Sequence, residues 1–444
     1  MRYETITDAI GDTPLVRIDP AVHGLTHIDL YAKLELLNPF GSVKDRAAWR
    51  MAEPHLKRAQ ADGATVVELS SGNTAKALAV IAGMHGLPFT SITNRMKVPE
   101  IKDLLLLLGA TIEELPGQAE CLDPTNTEDP LTRIHRTISE AGSQYLHTDQ
   151  YYNPLNAQAH IDGTGPEIIK DLDGRAPDYF IACVGTAGSS TGAAQALRAH
   201  DPSVTVVGLV AGKSDFIPGI RNIDEVHEVG LFDPENYDTI EAVTADEAID
   251  GLLDLVRRCG ILAGPTGGGA YAGAVRHLRA VDAELAAEGT PRRRTAVFIV
   301  CDRVESYMSY LRRRRPELLN QQARAGSVST VTDEQASAAP AMDVDAARQW
   351  MAHAQPLVVD LRGTFAFGVA HIEGSVNIVD ELFDELLHGG MPFGSERPVM
   401  LVCPVGEKSR RYAALLSLMG HRDVRSLDGG VVAWRDAGAP LVRA

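Results

Sequence analysis

The sequence predicts an α/β protein with parallel-type sheets, divided into a large unit over residues 1–319 and a small unit over residues 343–444. The first observation behind this is an alternation. From the N-terminus to about residue 318, short apolar runs take turns with amphipathic helical stretches, the pattern of strands joined by crossover helices. The second is a break. Residues 320–342 (NQQARAGSVSTVTDEQASAAPAM) are rich in Ser, Ala, Thr and Gln, lack apolar periodicity and read as a linker. The third is that a shorter α/β pattern resumes after the break. A chain of 444 residues is long for one ordinary domain, and two or three are expected.

In order, DLYAKLEL (29–36) reads as a strand that enters a turn at Asn38, Pro39 and Gly41, followed by a helix over KDRAAWRMAEPHLKRA (44–59). ATVVELS (64–70), TAKALAVIAGMHG (74–86), LPFTSIT (87–93), PEIKDLLLLLG (99–109) and ATIEEL (110–115) read strand, helix, strand, helix, strand. DYFIACVG (178–185), SSTGAAQALRAH (189–200) and VTVVGLVA (204–211) repeat the unit.

An apolar fraction of 45 % suits packed cores, and a net charge of −17 argues against nucleic acid or an anionic membrane as partner. The N-terminus has no apolar leader-like run, and no stretch of about 18 apolar residues occurs. The five cysteines (Cys121, Cys183, Cys259, Cys301, Cys403) are odd in number and lack C-x-x-C spacing. That argues against a disulfide framework or a metal site and for a reducing cytoplasm.

Lys44 is the most informative residue. It falls on the first turn of a helix, with Ser42 as the expected N-cap, beside unpaired N–H groups at the positive end of the helix dipole. That setting disfavours the ammonium form and suits a neutral amine able to form a Schiff base with an aldehyde cofactor. An ordinary surface lysine is the commoner reading of such a residue, so the assignment rests on three further turns. Ser70-Ser71-Gly72-Asn73-Thr74, between a strand and a helix, presents hydroxyls, an amide and backbone N–H groups to a carboxylate. Gly185-Thr186-Ala187-Gly188-Ser189-Ser190-Thr191-Gly192 does the same for a phosphate. Gly264-Pro265-Thr266-Gly267-Gly268-Gly269 precedes another helix. A lysine, a phosphate cradle and a carboxylate cradle together suit pyridoxal 5'-phosphate (PLP) and an amino acid.

NPFGSVKDR, SSGNT, GTAGSSTG and GILAGPTGG, in this order, resemble the fold-type-II PLP enzymes of the cysteine synthase / cystathionine β-synthase group. GDTPLVRI (11–18) and QYYNPLNAQAHIDGTGPEI (150–168) match as well. The resemblance covers about residues 5–318 and implies two α/β subdomains, a mobile one at about 40–150, and a homodimer. It implies that Lys44 carries the cofactor, that Asn73 bonds its phenolic oxygen, and that Gly185, Thr186, Ala187, Gly188 and Ser189 hold its phosphate. Thr266 then faces the pyridine nitrogen, and Ser70, Ser71, Gly72, Thr74 and Gln150 grip the substrate carboxylate. A neutral hydroxyl at the pyridine favours β-elimination over transamination, with Lys44 as general base and an α-aminoacrylate as intermediate. The chain departs from the family pattern at Ala75 and Ala187, where glycine is usual, and at Lys76, where an apolar residue is usual. Lys76 reads either as a solvated helix charge or as a contact to an anionic substrate. PGIRNIDEVHEVGLFDPE (218–235) resembles cysteine synthases that use O-phosphoserine, in which an arginine matching Arg221 meets the substrate phosphate. A structural salt bridge is the other reading of Arg221. Siderophore-type 2,3-diaminopropionate synthases share this pattern.

VVDLR (358–362), AHIEGSVNI (370–378), VMLVCPVGEKSRRYAALL (399–416) and LDGGVVAWRDAG (427–438) resemble a single rhodanese domain. Cys403 ends an apolar strand in a C-x-x-G-x-x-S loop that opens a helix, where backbone donors, the dipole and Lys408 favour a thiolate or persulfide. Asp360 and Arg362 read as braces for that loop, and the other four cysteines read as structural. The combined expectation is PLP-dependent β-replacement on O-phosphoserine or O-acetylserine, with sulfur mobilised on Cys403, giving cysteine or a relative. The alternatives are a cysteine lyase or desulfhydrase that passes sulfur to the rhodanese domain, diaminopropionate-type β-replacement, and a degenerate regulatory partner protein. The intact Lys44 and Cys403 argue against the last.

Overall fold

The computed structural model describes residues 2–93, 98–114, 136, 138, 140, 142–213, 215–223, 229–289, 293–319, 328, 331–388, 390 and 392–443. The chain divides after Arg315 into two compact units. The first holds two sheets. The larger has six strands in the spatial order Leu15–Arg17, Ile28–Lys33, Arg294–Ile299, Tyr179–Cys183, Thr205–Ala211 and Thr239–Val243. Only the first pairing is antiparallel.

The apolar runs are continuous because both faces of this sheet are covered. Along Thr205–Ala211, Val207, Leu209 and Ala211 enter one core cluster, while Val206 and Val210 enter the other. Helices Ala245–Arg258 and Pro265–Glu288 cover the first face, and Gly188–His200 covers the second.

The smaller sheet is wholly parallel, in the order Thr111–Glu114, Phe89–Thr93, Thr65–Leu69 and Tyr145–His147. The strand–helix–strand reading of residues 64–115 is reproduced here, with helices Asn73–Met84 and Pro99–Leu107 between the strands. Functional loops in such sheets gather at the carboxyl ends of the strands. Ser70–Thr74, Gln150, Gly185–Ser189 and the segment from Cys301 all follow such ends.

The second unit is a five-stranded parallel sheet in the order Ala341–Met342, Val424–Leu427, Val399–Val402, Leu357–Asp360 and Val376–Asn377. Period two again sorts its side chains, with Val359, Leu401 and Cys403 in one cluster and Val358, Met400 and Val402 in the other.

The linker expected over 320–342 ends earlier than the sequence suggested. Asp333–Ser337 is a helix with a Thr332–Gln335 capping box, Val331 and Ala336 are buried in the second unit's core, and Ala341–Met342 is its edge strand. Five helical and two strand residues are too few to produce apolar periodicity, so composition alone misled. Residues 320–327, 329 and 330 lie outside the described residues, as does Cys121.

Candidate active site

Lys44 is the first residue of helix Lys44–Asp62 and is half-buried. The expected cap is displaced by one residue. Val43 occupies the capping position with φ −56 and ψ −24, already helical, while Ser42 Oγ accepts the Lys44 N–H at 3.2 Å. The same hydroxyl donates to Asp45 Oδ1 at 3.1 Å, and Asp45 Oδ2 accepts the Phe40 N–H at 2.6 Å. Burial pushes Asp45 up to about 7. The lysine turn is strapped to the end of strand Arg294–Ile299, because Ser42 bridges Asp302 and the Val43 N–H donates to the Cys301 carbonyl at 2.8 Å.

Two residues further on, Arg46 anchors the turn. Its guanidinium makes a bidentate pair with Glu35 (2.7 and 2.9 Å) and another with Glu167 (2.6 and 2.6 Å). Lys33 Nζ lies 3.0 Å from Glu167 and 3.1 Å from Asp171 and donates to the Thr13 carbonyl at 2.6 Å. Burial alone would raise Glu167, but Arg46 and Lys33 outweigh it and hold the carboxyl at about 2. The arrangement ties the GDTP segment, the lysine helix and the 165–171 helix into one charged core.

The 70–74 loop is held from both sides. Ser70 Oγ accepts the N–H groups of Gly72 and Ala75, both at 3.3 Å, and Ser91 Oγ donates to the Ser70 carbonyl at 2.6 Å. Gln150 is committed at both ends of its amide, accepting from Thr74 Oγ1 at 2.7 Å and donating to the Leu69 carbonyl at 3.0 Å. Ser71 and Gly72 are half-buried at the tip of this loop.

Asn73 Nδ2 donates to Asp302 Oδ2 at 2.7 Å and to the Tyr307 hydroxyl at 3.1 Å, and the Tyr307 hydroxyl also donates to Asp302. Burial raises the Asp302 carboxyl against these bonds. Lys76, read as either solvated or substrate-facing, is 7 % exposed, and burial lowers its affinity for the proton while Asp45 and Asp302 raise it. Among the described residues its Nζ makes no hydrogen bond or ion pair. Lys76 is therefore buried near two buried carboxyls beside the lysine turn and is not a solvated charge.

On the opposite wall, the backbone N–H groups of Gly185 to Ser189 have no acceptor among the described residues. The loop sits on Asn156, which donates to Thr186 Oγ1 at 3.1 Å and to the Gln150 carbonyl at 2.7 Å. A Cβ at Gly188 would lie 2.0 Å from Asn156 Oδ1, so only glycine fits there. Ala187 has φ 60, a left-handed conformation that glycine adopts without strain. Ala187→Gly is therefore expected to raise stability by roughly 1 kcal/mol, read as a higher melting temperature; an unchanged or lower value would contradict the strain argument.

Thr266 Oγ1 donates to the Pro218 carbonyl at 2.7 Å, which brings the 218–221 turn against the glycine-rich helix start. Arg221 closes that turn. Its N–H donates to the Val184 carbonyl at 2.8 Å, and its guanidinium lies 5.2 Å from the Tyr151 ring centroid, between the phosphate-type loop and the Gln150 segment.

In the second unit, Cys403 is 1 % exposed, and its Sγ accepts from the Gly406 N–H (3.2 Å), the Ser409 N–H (3.4 Å) and Ser409 Oγ (3.3 Å). Gly406, at φ +88, provides the turn that points these donors inward. Arg362 pairs with Asp360 through Nε at 2.9 Å and Nη2 at 2.6 Å, and also donates to the Ala370 carbonyl, which ties together the 360–370 segment. Lys408, expected to add positive charge, is in an ion pair with Asp380.

The family profile described as a pyridoxal-phosphate dependent enzyme matches residues 6–302. Cysteine synthase B of Pseudomonas aeruginosa is 33 % identical over 310 residues, which span 70 % of this chain and 97 % of that protein. The chain belongs to the pyridoxal-phosphate dependent enzyme family. This family member is cysteine synthase-like and PLP-dependent, and a rhodanese-like profile matches residues 343–437, as the motifs implied. Among solved structures, an O-acetylserine dependent cystathionine β-synthase from Helicobacter pylori aligns with a TM-score of 0.58 at 25 % identity, covering 70 % of this chain and 98 % of that one. A hydrogen sulfide-producing enzyme from Fusobacterium nucleatum aligns with a TM-score of 0.59 at 25 % identity, covering 69 % and 100 %. No helix among the described residues is long and apolar enough to cross a membrane.

The structure gathers Lys44, the 70–74 loop, Gln150, the 185–189 loop, Thr266 and Arg221 on one unit, and Cys403 on the other. Sequence reasoning missed Asp302, Tyr307 and the Arg46 clamp. The signal for Asp302 was present, as a carboxylate closing the last apolar run (VFIVCDR) at a strand's carboxyl end.

Proposed function

We propose that the first unit catalyses β-replacement on an O-activated serine, with O-phosphoserine as the preferred substrate, and that the rhodanese-like unit supplies the sulfur, giving cysteine. The observation that carries the sulfur assignment is the three-donor cradle at Cys403 Sγ, on the same chain as the PLP-type site. Three donors converging on one sulfur suit a cysteine that carries a transferable sulfur.

PLP fits the residues present. The unpartnered N–H groups of Gly185–Ser189 suit its phosphate. Asn73 Oδ1 is buried with no partner among the described residues, which leaves hydrogen-bonding capacity for a group bound there, and Asn73 is assigned to the phenolic oxygen. Thr266 is assigned to the pyridine side. When bound, PLP supplies the electron sink that makes the substrate's α-proton acidic and lets its β-substituent depart.

Lys44 Nζ takes the α-proton as general base. Ser70, Ser71, Gly72 and Thr74 orient the carboxylate, and Gln150 holds their loop in shape through Thr74. Arg221 receives a phosphate leaving group, for which a planar guanidinium is suited. Sulfur on Cys403 leaves by reduction of its persulfide with two equivalents of a thiol, R–SH. The products are the Cys403 thiol, one hydrogen sulfide and the disulfide R–S–S–R. Sulfide then displaces phosphate at the β-carbon.

The likeness to a hydrogen sulfide-producing enzyme favours a second reading, cysteine desulfuration in the opposite direction. The test is cysteine formation from O-phosphoserine and from O-acetylserine, with sulfide or with a sulfane-sulfur donor plus thiol. Cys403→Ser is expected to abolish donor-driven synthesis and spare sulfide-driven synthesis; loss of both would refute separate roles for the units. Arg221→Ala is expected to lower kcat/KM for O-phosphoserine by roughly 10–100-fold while leaving O-acetylserine little changed. Sulfide release from cysteine, with no synthesis from either serine ester, would favour the second reading.

A further inference from the structure

We infer that Cys403 is charged with sulfur by a persulfide, R–S–SH, and not by thiosulfate. This rests on the reading of Cys403 as the sulfur-mobilising residue. The argument is the charge that meets a donor at the loop. Thiosulfate is a dianion whose departing sulfite is also a dianion, so a site that uses it needs a cation free to meet that charge. The described cations on the loop, the helix it opens and the adjoining strand end are Arg362, Lys408, Arg410 and Arg411, and each already faces a carboxylate, that of Asp333 in the case of Arg411. Arg362 is held by Asp360 at 2.6 Å, Lys408 by Asp380, and Arg410 by Asp428.

The Lys408 pair is reciprocal. The Asp380 bond raises Lys408, and Lys408 lowers Asp380 against its burial. Glu407 adds an exposed negative charge inside the loop and enters no ion pair among the described residues. The three donors at Cys403 Sγ are neutral dipoles. They stabilise one sulfur anion, whereas a bulky sulfonate would also need a counter-charge at the mouth. That mouth carries Val405, 52 % exposed, and the exposed Pro404.

A persulfide meets none of these obstacles, because its leaving group is a monoanionic thiolate. In the step, Cys403 Sγ attacks the outer sulfur of R–S–SH, and the S–S bond of the donor breaks. Its electron pair stays on the inner sulfur: Cys403–S⁻ + R–S–SH → Cys403–S–SH + R–S⁻. The donor is reduced to a thiol, Cys403 is oxidised to a persulfide, and no further oxidant or reductant is needed. The donor persulfide is borne either by a small thiol or by a protein cysteine.

The test uses the full chain with thiosulfate, glutathione persulfide and persulfidated serum albumin as separate donors at low ionic strength. Added sulfur on the Cys403 peptide is followed by mass spectrometry. At least one persulfide is expected to load Cys403 about 100-fold faster than thiosulfate, and the two persulfide arms separate a small from a protein-borne source. Asp380→Asn, which frees Lys408, is expected to raise the thiosulfate rate relative to the persulfide rate by about fivefold, and the exposed Glu407→Gln should move it the same way. Thiosulfate loading as fast as either persulfide overturns the inference, as does an unchanged ratio in both variants. If no donor places sulfur on Cys403 of the folded protein, the sulfur-mobilising reading itself fails.

Discussion

Lys44→Ala is expected to remove at least about 10³-fold of the rate of cysteine formation from O-phosphoserine and sulfide, with the fold intact. The proposed role puts two demands on one amine: covalent attachment to the cofactor and transfer of the α-proton. Three neighbouring groups are poorly suited to substitute. Burial keeps His160 well below its ordinary range, and its Nδ1 is 2.9 Å from Thr164 Oγ1. Burial pushes the Cys301 thiol up to about 12. Asp302 accepts from both Asn73 and Tyr307 through Oδ2, and burial raises its carboxyl. Lys44 itself makes no hydrogen bond through Nζ among the described residues, so its removal leaves no unpaired partner and little stability should be lost. Lys44→Arg keeps the charge but not the nucleophile and should be equally slow. A melting temperature within a few degrees of wild type, with more than a tenth of the activity remaining in either variant, would remove Lys44 from the proposed mechanism.

Arg46→Ala is expected to have the largest effect on stability, roughly 3–5 kcal/mol, seen as a melting temperature lower by roughly 5–10 °C for a unit of this size. The loss comes from what is left behind. Glu35, fully buried, and Glu167, 13 % exposed, would face each other across the gap without their shared cation. Arg46→Lys should recover only part of this, because an ammonium cannot make two bidentate pairs.

The same cluster sets an acid limit. Glu167 titrates at 4.5 when unperturbed and at about 2 in the fold, so its contribution is complete above 4.5 and is lost as pH falls toward 2. Urea unfolding between these limits should show stability declining with acid in wild type, and a flatter acid limb in Glu167→Gln from a lower starting value. An Arg46→Ala protein as stable as wild type at neutral pH would show that the clamp is incidental.

Much of this was legible in the sequence because it is local. A strand ending in SSGNT or GTAGSSTG places donors at a helix start whatever surrounds it, and the spacing of Cys403, Gly406 and Ser409 fits one tight loop. Alternation sufficed for the α/β class because a parallel strand buried on both faces must be apolar throughout.

Other features were hidden because they join residues far apart in the chain. Arg46 meets Glu167 from 121 positions away, and Asn73 meets Asp302 from 229. Lys76 read as a solvated charge or as a substrate contact, and packing buried it near two buried carboxyls. The partner of Lys408, Asp380, lies 28 positions upstream and meets it only in the fold.

The sequence by itself therefore determined the fold class of both units and the cofactor class, and it singled out Lys44 and Cys403 as the side chains expected to react. Only the tertiary structure decided which charges are free and which are already balanced. A charge's effect depends on its burial and on the partners that folding brings to it, and neither is written in the neighbouring residues.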